Sequence, residues 1–246
     1  MRILGYALRI AGIALLLLLP TGCAQYPANN GSNNNAAGPQ LIVSMTVAGN
    51  INPNDYYYIL FNNAGDSTGT NGPIPVVAAY QAGGNGFAAG AFTHYVLYHP
   101  PQPGGSNFGF YAISSNLLTP VYRGQPLQAQ TGTNTIQFQI PLSYLATTAY
   151  PAGNISSLQI NFLATNIVSN DPNYTGPKYF DALGQSNQPG GINDYITIST
   201  SGSRLYNDAT AQNELAGDVT QYVNGTPQTV TQPDLDITNW SVEVRD

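Results

Sequence analysis

From Leu41 to Asp246 apolar residues recur at every second position, and almost nowhere with the period of a helix. A period of two sends alternate side chains to opposite faces of an extended strand, whereas a helix repeats every 3.6 residues. In "NTIQFQIPLSYL" Ile136, Phe138 and Ile140 face one way, while Thr135, Gln137 and Gln139 face the other. "LIVSMTVAG" aligns Leu41, Val43, Met45 and Val47, and "SLQINFLATN" aligns Leu158, Ile160 and Phe162. "YYYILF" at 56–61 is apolar or aromatic on both faces, the pattern of a strand covered on both sides. "PIPVVAAYQ", "FAAGAFTHYVLYH" and "DYITISTS" read as further strands between Gly-rich turns. In "DLDITNWSVEVRD" Leu235 and Ile237 share one parity and Trp240, Val242 and Val244 the other. One extra residue near Thr238 and Asn239 reconciles them, which predicts a bulge. Asn224-Gly225, between "TQYV" and "TPQTV", predicts a type I′ hairpin.

"YFDAL" and "NDATAQNELAG" read as short helices in loops. Eight or more strands at short spacing predict an all-β fold: a single antiparallel β-sandwich over residues 41–246, jelly-roll-like, with helices only in loops. The stretch from Ser169 to Asp194 is long for a loop in a compact domain, and such loops are more often functional or mobile than idle. No repeat or second domain is visible.

The start of the chain follows a different rule. Arg2 and Arg9 precede an apolar run from Ile10 to Leu19, and Pro20, Thr21 and Gly22 lead to Cys23. Basic start, apolar core and small residues are the layout of an export signal. The run of about ten residues is half of what a membrane span needs. Cys23 is the chain's one cysteine, and the polar stretch after it offers no core to bury it. Residues 1–22 are therefore expected to be a signal peptide. Residues 23–40, "CAQYPANNGSNNNAAGPQ", would follow as a flexible polar tether, its ends roughly 20–25 Å apart.

Charge is scarce. Only 7% of the residues are charged, against about 25% in ordinary soluble domains. Without the signal, Arg123, Lys178, Arg204 and Arg245 stand against twelve acidic residues, a net charge of −8. A nucleic-acid binder needs clustered cations to neutralise phosphates, so nucleic acid is excluded as a partner. Seventeen tyrosines and eight phenylalanines take up the surface and core roles instead. Tyrosine offers a flat apolar face and a hydroxyl, which suits a neutral partner such as a sugar, although many of these rings simply fill sheet surfaces.

Thr21-Gly22-Cys23 resembles the lipobox of bacterial lipoproteins, with Pro20 where that family carries leucine. The resemblance implies lipidation of Cys23 and anchorage in the cell envelope, outside the cytoplasm. Ala24 stands where an aspartate favours the inner membrane in that family, which implies the outer membrane in a cell that has one. Three further stretches, "NDYYYILFNNAGDSTGTNGP", "IQFQIPLSYL" and "LQINFLATN", are similar to segments of DOMON-like and family 9 carbohydrate-binding sandwiches. That resemblance covers about 60 residues and implies a jelly-roll-like sandwich that binds a sugar or a cofactor. The paired tryptophans with which the family clamps sugars have no counterpart, since Trp240 is the single tryptophan.

Candidate sites follow from residue types. Calcium takes six to eight oxygen ligands. Two oxygen-rich stretches qualify: Asn62, Asn63, Asp66, Ser67 and Asn71, and Asn170, Asp171 and Asn173 with Asp181 and Asp194. Neither has EF-hand spacing, and hydrogen-bonded Asx turns give the same composition. Haem by way of the DOMON resemblance would need Met45 with His94 or His99, but a Met on an apolar strand face is usually core. His94 and His99 fall on opposite faces of one strand, without a Gly-x-Ser-x-Gly partner, and no carboxylate pair is marked as a glycosidase pair. Catalysis is therefore not expected. Tyr57 alternates against Tyr56 and Tyr58 and, with Tyr174 and Tyr179 of the long loop, is a candidate ligand contact. The leading expectation is non-enzymatic binding of a neutral glycan. An envelope assembly role, docking a protein partner, is the alternative. A polysaccharide-acting enzyme or a haem-binding domain comes third.

Overall fold

The computed structural model describes residues 38–63, 71–78, 85–113, 119–169, 171–188 and 194–246. The signal segment, Cys23, most of the tether, Asp66, Ser67 and Asn170 lie outside the described residues.

Period-two patterning gives an all-β sandwich. The first half supplies β1 (Gln40–Val47), β2 (Tyr56–Asn62), β3 (Pro73–Pro75), β4 (Ala88–Gly90), β5 (His94–Tyr98), β6 (Phe108–Ile113), β7 (Pro120–Gly124) and β8 (Leu127–Thr131). The second supplies β9 (Thr135–Pro141), β10 (Ser157–Thr165), β11 (Tyr179–Ala182), β12 (Ile196–Ser199), β13 (Arg204–Asn207), the single helical turn α1 (Asp208–Ala211), β14 (Thr220–Val223), β15 (Thr226–Thr229) and β16 (Ile237–Arg245). One sheet has five strands in the order β13-β16-β1-β9-β8. The other has nine, in the order β15-β14-β11-β10-β2-β5-β6-β7, with β12 also paired to β10; a small ribbon joins β3 and β4. Every pairing between named strands is antiparallel.

The two sheets close over one core. Leu41, Val43 and Met45 of β1, Ile136, Phe138 and Ile140 of β9, and Trp240, Val242 and Val244 of β16 meet Tyr57, Ile59 and Phe61 of β2 and Leu158, Ile160 and Phe162 of β10. Phe162 and Trp240 stack across the sheets with ring centroids 5.7 Å apart. Met45 is fully buried in this core.

Local chemistry accounts for the breaks. Thr46 pairs with Asn239 but Val47 with Ile237, so Thr238 is the bulged residue that brings both apolar parities of β16 inward. Asn224 (φ 52°) and Gly225 (φ 79°) both take the left-handed conformation that a type I′ turn requires between β14 and β15. The "FAAGAFTHYVLYH" run breaks into β4 and β5 at Gly90, whose φ is +73° and where a Cβ would lie 2.1 Å from the Gly72 carbonyl oxygen. "YFDAL" is strand β11 and not the expected helix, because Leu163 to Thr165 of β10 pair with Phe180 to Ala182. Tertiary pairing overrides the propensity of a five-residue stretch.

A second apolar layer covers the outer side of the nine-stranded sheet. Tyr58 and Leu60 of β2, Tyr95 of β5 and Phe180 of β11 are sealed by Phe87, Ala88 and Phe92. All nine residues of β10 are buried in consequence, including its polar outer set. Three of these find partners, and the Ser157 hydroxyl does not: Gln159 Oε1 accepts from Asn62 Nδ2 (2.7 Å), Asn161 Nδ2 donates to Pro73 O (2.8 Å), and Thr165 Oγ1 donates to Tyr179 O (2.8 Å). A buried group left without such a partner costs about 1–3 kcal/mol. Among the described residues, no helix is long and apolar enough to cross a membrane.

Candidate functional site

Against this covering layer pack the partly buried Tyr56, Leu97 and Tyr111, and with the more exposed Tyr122 they form an aromatic strip towards β7. On β2, β5, β6 and β7 the outward residues are those opposite in parity to the core set, since cross-strand partners share a face. Leu97 of β5 lies opposite Tyr58 and Gly109, and Tyr111 of β6 lies opposite Tyr95 and Tyr122. Tyr56, Leu97, His99 and Tyr111 are half-buried, and Tyr122 is 36% exposed. Tyr56 stacks on His99 at 3.8 Å between centroids, and Tyr111 meets Tyr122 edge-on at 5.4 Å. From β2 to β7 the strip spans three strand spacings, about 14 Å.

Polar groups fix these rings in place. Tyr111 Oη donates to Gln102 Oε1 (2.6 Å), Gln102 Nε2 donates to the His99 carbonyl, and Tyr122 Oη donates to Pro103 O (3.1 Å). Gln102 lies against β6 because residue 109 is glycine: a Cβ there would sit 2.6 Å from Gln102 Oε1 and 2.5 Å from the Tyr111 ring. Burial raises the Tyr111 phenol above its usual value, with Tyr122 adding to the shift, so the ring stays neutral at physiological pH. The result is a platform of ring faces, a histidine and an amide.

A second constellation lies between the sheets. Asp181, Asp218 and Asp236 each place a carboxylate oxygen within 4.8 Å of the others, and all three are buried. Asp181 shares the parity of Ala164, its partner on β10, and so points into the sandwich. Its Oδ2 accepts from the Ile237 amide of the opposite sheet (2.7 Å), and its Oδ1 from Ser186 Oγ (2.9 Å) and the Ala182 amide (3.0 Å). Asp218 Oδ2 accepts from the Ser186 amide (2.6 Å), and Asp236 Oδ1 from the Gly217 amide (2.8 Å). Burial, and after it the Asp218 carboxylate, holds Asp181 well above the usual carboxylate range. Asp218 is raised to about 6, chiefly by burial, and Glu214 is pushed up to about 12 by burial and then by Asp181, Asp218, Asp208 and Asp236.

The residues expected from the sequence distribute unevenly over this map. Tyr57 is fully buried in the intersheet core, its hydroxyl donating to Asp234 O (2.9 Å) and accepting from the Asn52 amide (2.9 Å). It therefore presents no face to a ligand, which corrects the expectation: β2 is central, so its inward tyrosine is core. Tyr174 is half-buried with its hydroxyl donating to Pro177 O (3.1 Å), and Tyr179 is half-buried at the start of β11. The Asn62 amide is committed to Gln159, and Asn63 Nδ2 donates to Leu145 O (2.9 Å) and Tyr150 O (3.4 Å). Asn71 is exposed, its carbonyl accepting from the Ala91 amide. Asp171 forms an exposed Asx turn with the Asn173 amide (2.8 Å), and Asp194 is exposed. Asp181 stands apart from both, in the buried triad. His94 is buried and His99 lies on the aromatic strip.

Sequence reasoning missed Glu214, Asp218 and Asp236. Their one signal was scarcity: with only twelve acidic residues, "NELAGD" and "DLDI" are dense. Comparison with known proteins gives no match, whether to family models, to curated proteins or to solved structures.

Proposed function

We propose that this chain is an exported, lipid-anchored protein of the bacterial cell envelope whose sandwich binds a neutral glycan without altering it. The observation that carries the reading is the Tyr111–Tyr122 pair set beside Gln102 on the outer face of the nine-stranded sheet, with Tyr122 36% exposed. Rings offer apolar faces to the C–H surfaces of a sugar, and fixed amide and phenol groups meet its hydroxyls. The platform is built chiefly of tyrosine rings and an amide, which suits a partner that carries no charge. Export and anchorage rest on the signal layout and on Cys23, and set the partner among envelope or extracellular polysaccharides.

The test is a neutral-glycan array probed with the purified full-length protein at low and high salt. Saturable binding to one glycan class, equal at both salt concentrations, is expected because no charge pair contributes. A silent array with demonstrably folded protein overturns the reading and favours a protein partner in the envelope.

A further inference from the structure

The buried acidic triad poses a physical problem that its own hydrogen bonds do not solve. Three carboxylates converge, and a fourth, Glu214, feels all three electrostatically. Bringing unpaired anions out of water costs several kcal/mol each. Among the described residues the one ion pair joins Arg245 to Glu243, and the buried Lys178 is engaged with the carbonyls of Val76 (2.5 Å) and Gly86 (2.7 Å). Asp218 is only 1% exposed, yet no backbone amide or hydroxyl donates to its Oδ1. Both carboxylate oxygens of Glu214 are likewise buried and without a hydrogen-bond partner. The other oxygens of the cluster are oriented by amides and by Ser186.

We propose that Asp181, Asp218 and Asp236 bind one calcium ion, which joins the two sheets of the sandwich. Calcium–oxygen distances are 2.3–2.6 Å, so two ligands on opposite sides of one ion lie up to about 5 Å apart. The 4.8 Å limit within which the three aspartates converge fits a common centre. All donors are hard oxygens, without a thiolate or an imidazole, which selects calcium or magnesium over zinc or copper. The donors come from three places: β11, Asp218 just after Gly217, and the entry to β16. Such a dispersed set matches the flexible coordination of calcium better than the strict octahedron of magnesium.

Because Asp181 belongs to the nine-stranded sheet and Asp236 precedes β16 of the five-stranded one, the ion acts as a clamp between layers. Trp240 reports on it: its indole N–H donates to Asn213 Oδ1 (3.0 Å), next to Glu214. This inference stands independently of the glycan reading.

The experiment uses the purified full-length protein, stripped with a chelator and titrated with calcium, with magnesium in parallel. Calorimetry counts the sites, Trp240 fluorescence follows the local structure, and thermal melting follows stability. One equivalent of calcium is expected, with a melting temperature raised by about 5–10 °C at a hundredfold excess over Kd. Asp218→Asn and Asp236→Asn should each weaken calcium binding tenfold or more while leaving the chelated protein as stable as wild type or more so, since each puts a neutral group of the same shape into a cluster of carboxylates. The contrary result is a chelated protein indifferent to calcium up to about 10 mM, with both variants more stable than wild type in its presence. The cluster would then be held by shared protons. Equal or tighter binding of magnesium would overturn calcium as the ion.

Discussion

Replacing His94 by glutamine should flatten the acid limb of the protein's stability curve. His94 sits on the core face of β5, 5% exposed, with its ring stacked on Phe110 at 5.6 Å and Nδ1 at 3.0 Å from Thr93 Oγ1. Burial, aided by the positive charge of Arg123, lowers its pKa from 6.5 to about 4. A depressed histidine pKa means that the unfolded chain binds the proton first, so this stability is complete above pH 6.5 and is lost as the pH falls towards 4. At 1.36 kcal/mol per pH unit the loss comes to about 2 kcal/mol at pH 5 and about 3 kcal/mol at pH 4. The carboxylates with raised pKa values, Asp55 and Asp218 among them, work in the opposite direction, gaining stability as they protonate. Absolute acid stability therefore mixes the two signs, and the difference between wild type and His94→Gln isolates the histidine. Urea unfolding at half-unit steps from pH 7.5 to 4 measures it. The two curves should converge by about 3 kcal/mol across that range. Parallel curves would refute the burial of a neutral imidazole here.

Two further substitutions test the packing. Phe162→Ala should cost about 3–5 kcal/mol in urea unfolding, since it opens a cavity between the sheets and removes the ring on which Trp240 stacks; a loss below about 1 kcal/mol would place the core elsewhere. Gly225→Ala should cost about 1 kcal/mol by the same assay, purely through its φ of 79°, because nothing lies within 4 Å of the added methyl; no loss would argue against the type I′ turn.

Alternation is a local property, and what depended on parity alone was readable in advance. The faces of β1, β9 and β10, the extra residue at Thr238 and the Asn224-Gly225 turn all follow from neighbours in sequence. Parity does not say what covers a face. Gln159 and Asn161 alternate as surface residues would, yet a layer built around Phe87 and Phe92 seals them in and gives them partners from Asn62 and Pro73. Tyr57 was legible as the odd member of its triplet, but which side of β2 faced the second sheet was not. "YFDAL" carries too few residues to express a period, and pairing with β10 decides it. The acidic cluster is the extreme case. Its members are separated by up to 55 positions and meet only because β11 and β16 belong to facing sheets, a relation that no window along the chain contains.

The proposed glycan platform is tested most directly by one comparison of two tyrosines. Tyr122 lies on the aromatic strip, whereas Tyr144, 45% exposed, follows β9 and packs against Phe110 of the core face. With the glycan class selected by the array, the affinities of wild type, Tyr122→Ala and Tyr144→Ala would be measured by calorimetry. The account predicts a loss of about tenfold or more for Tyr122→Ala and wild-type affinity for Tyr144→Ala. Equal affinity for all three proteins would contradict it.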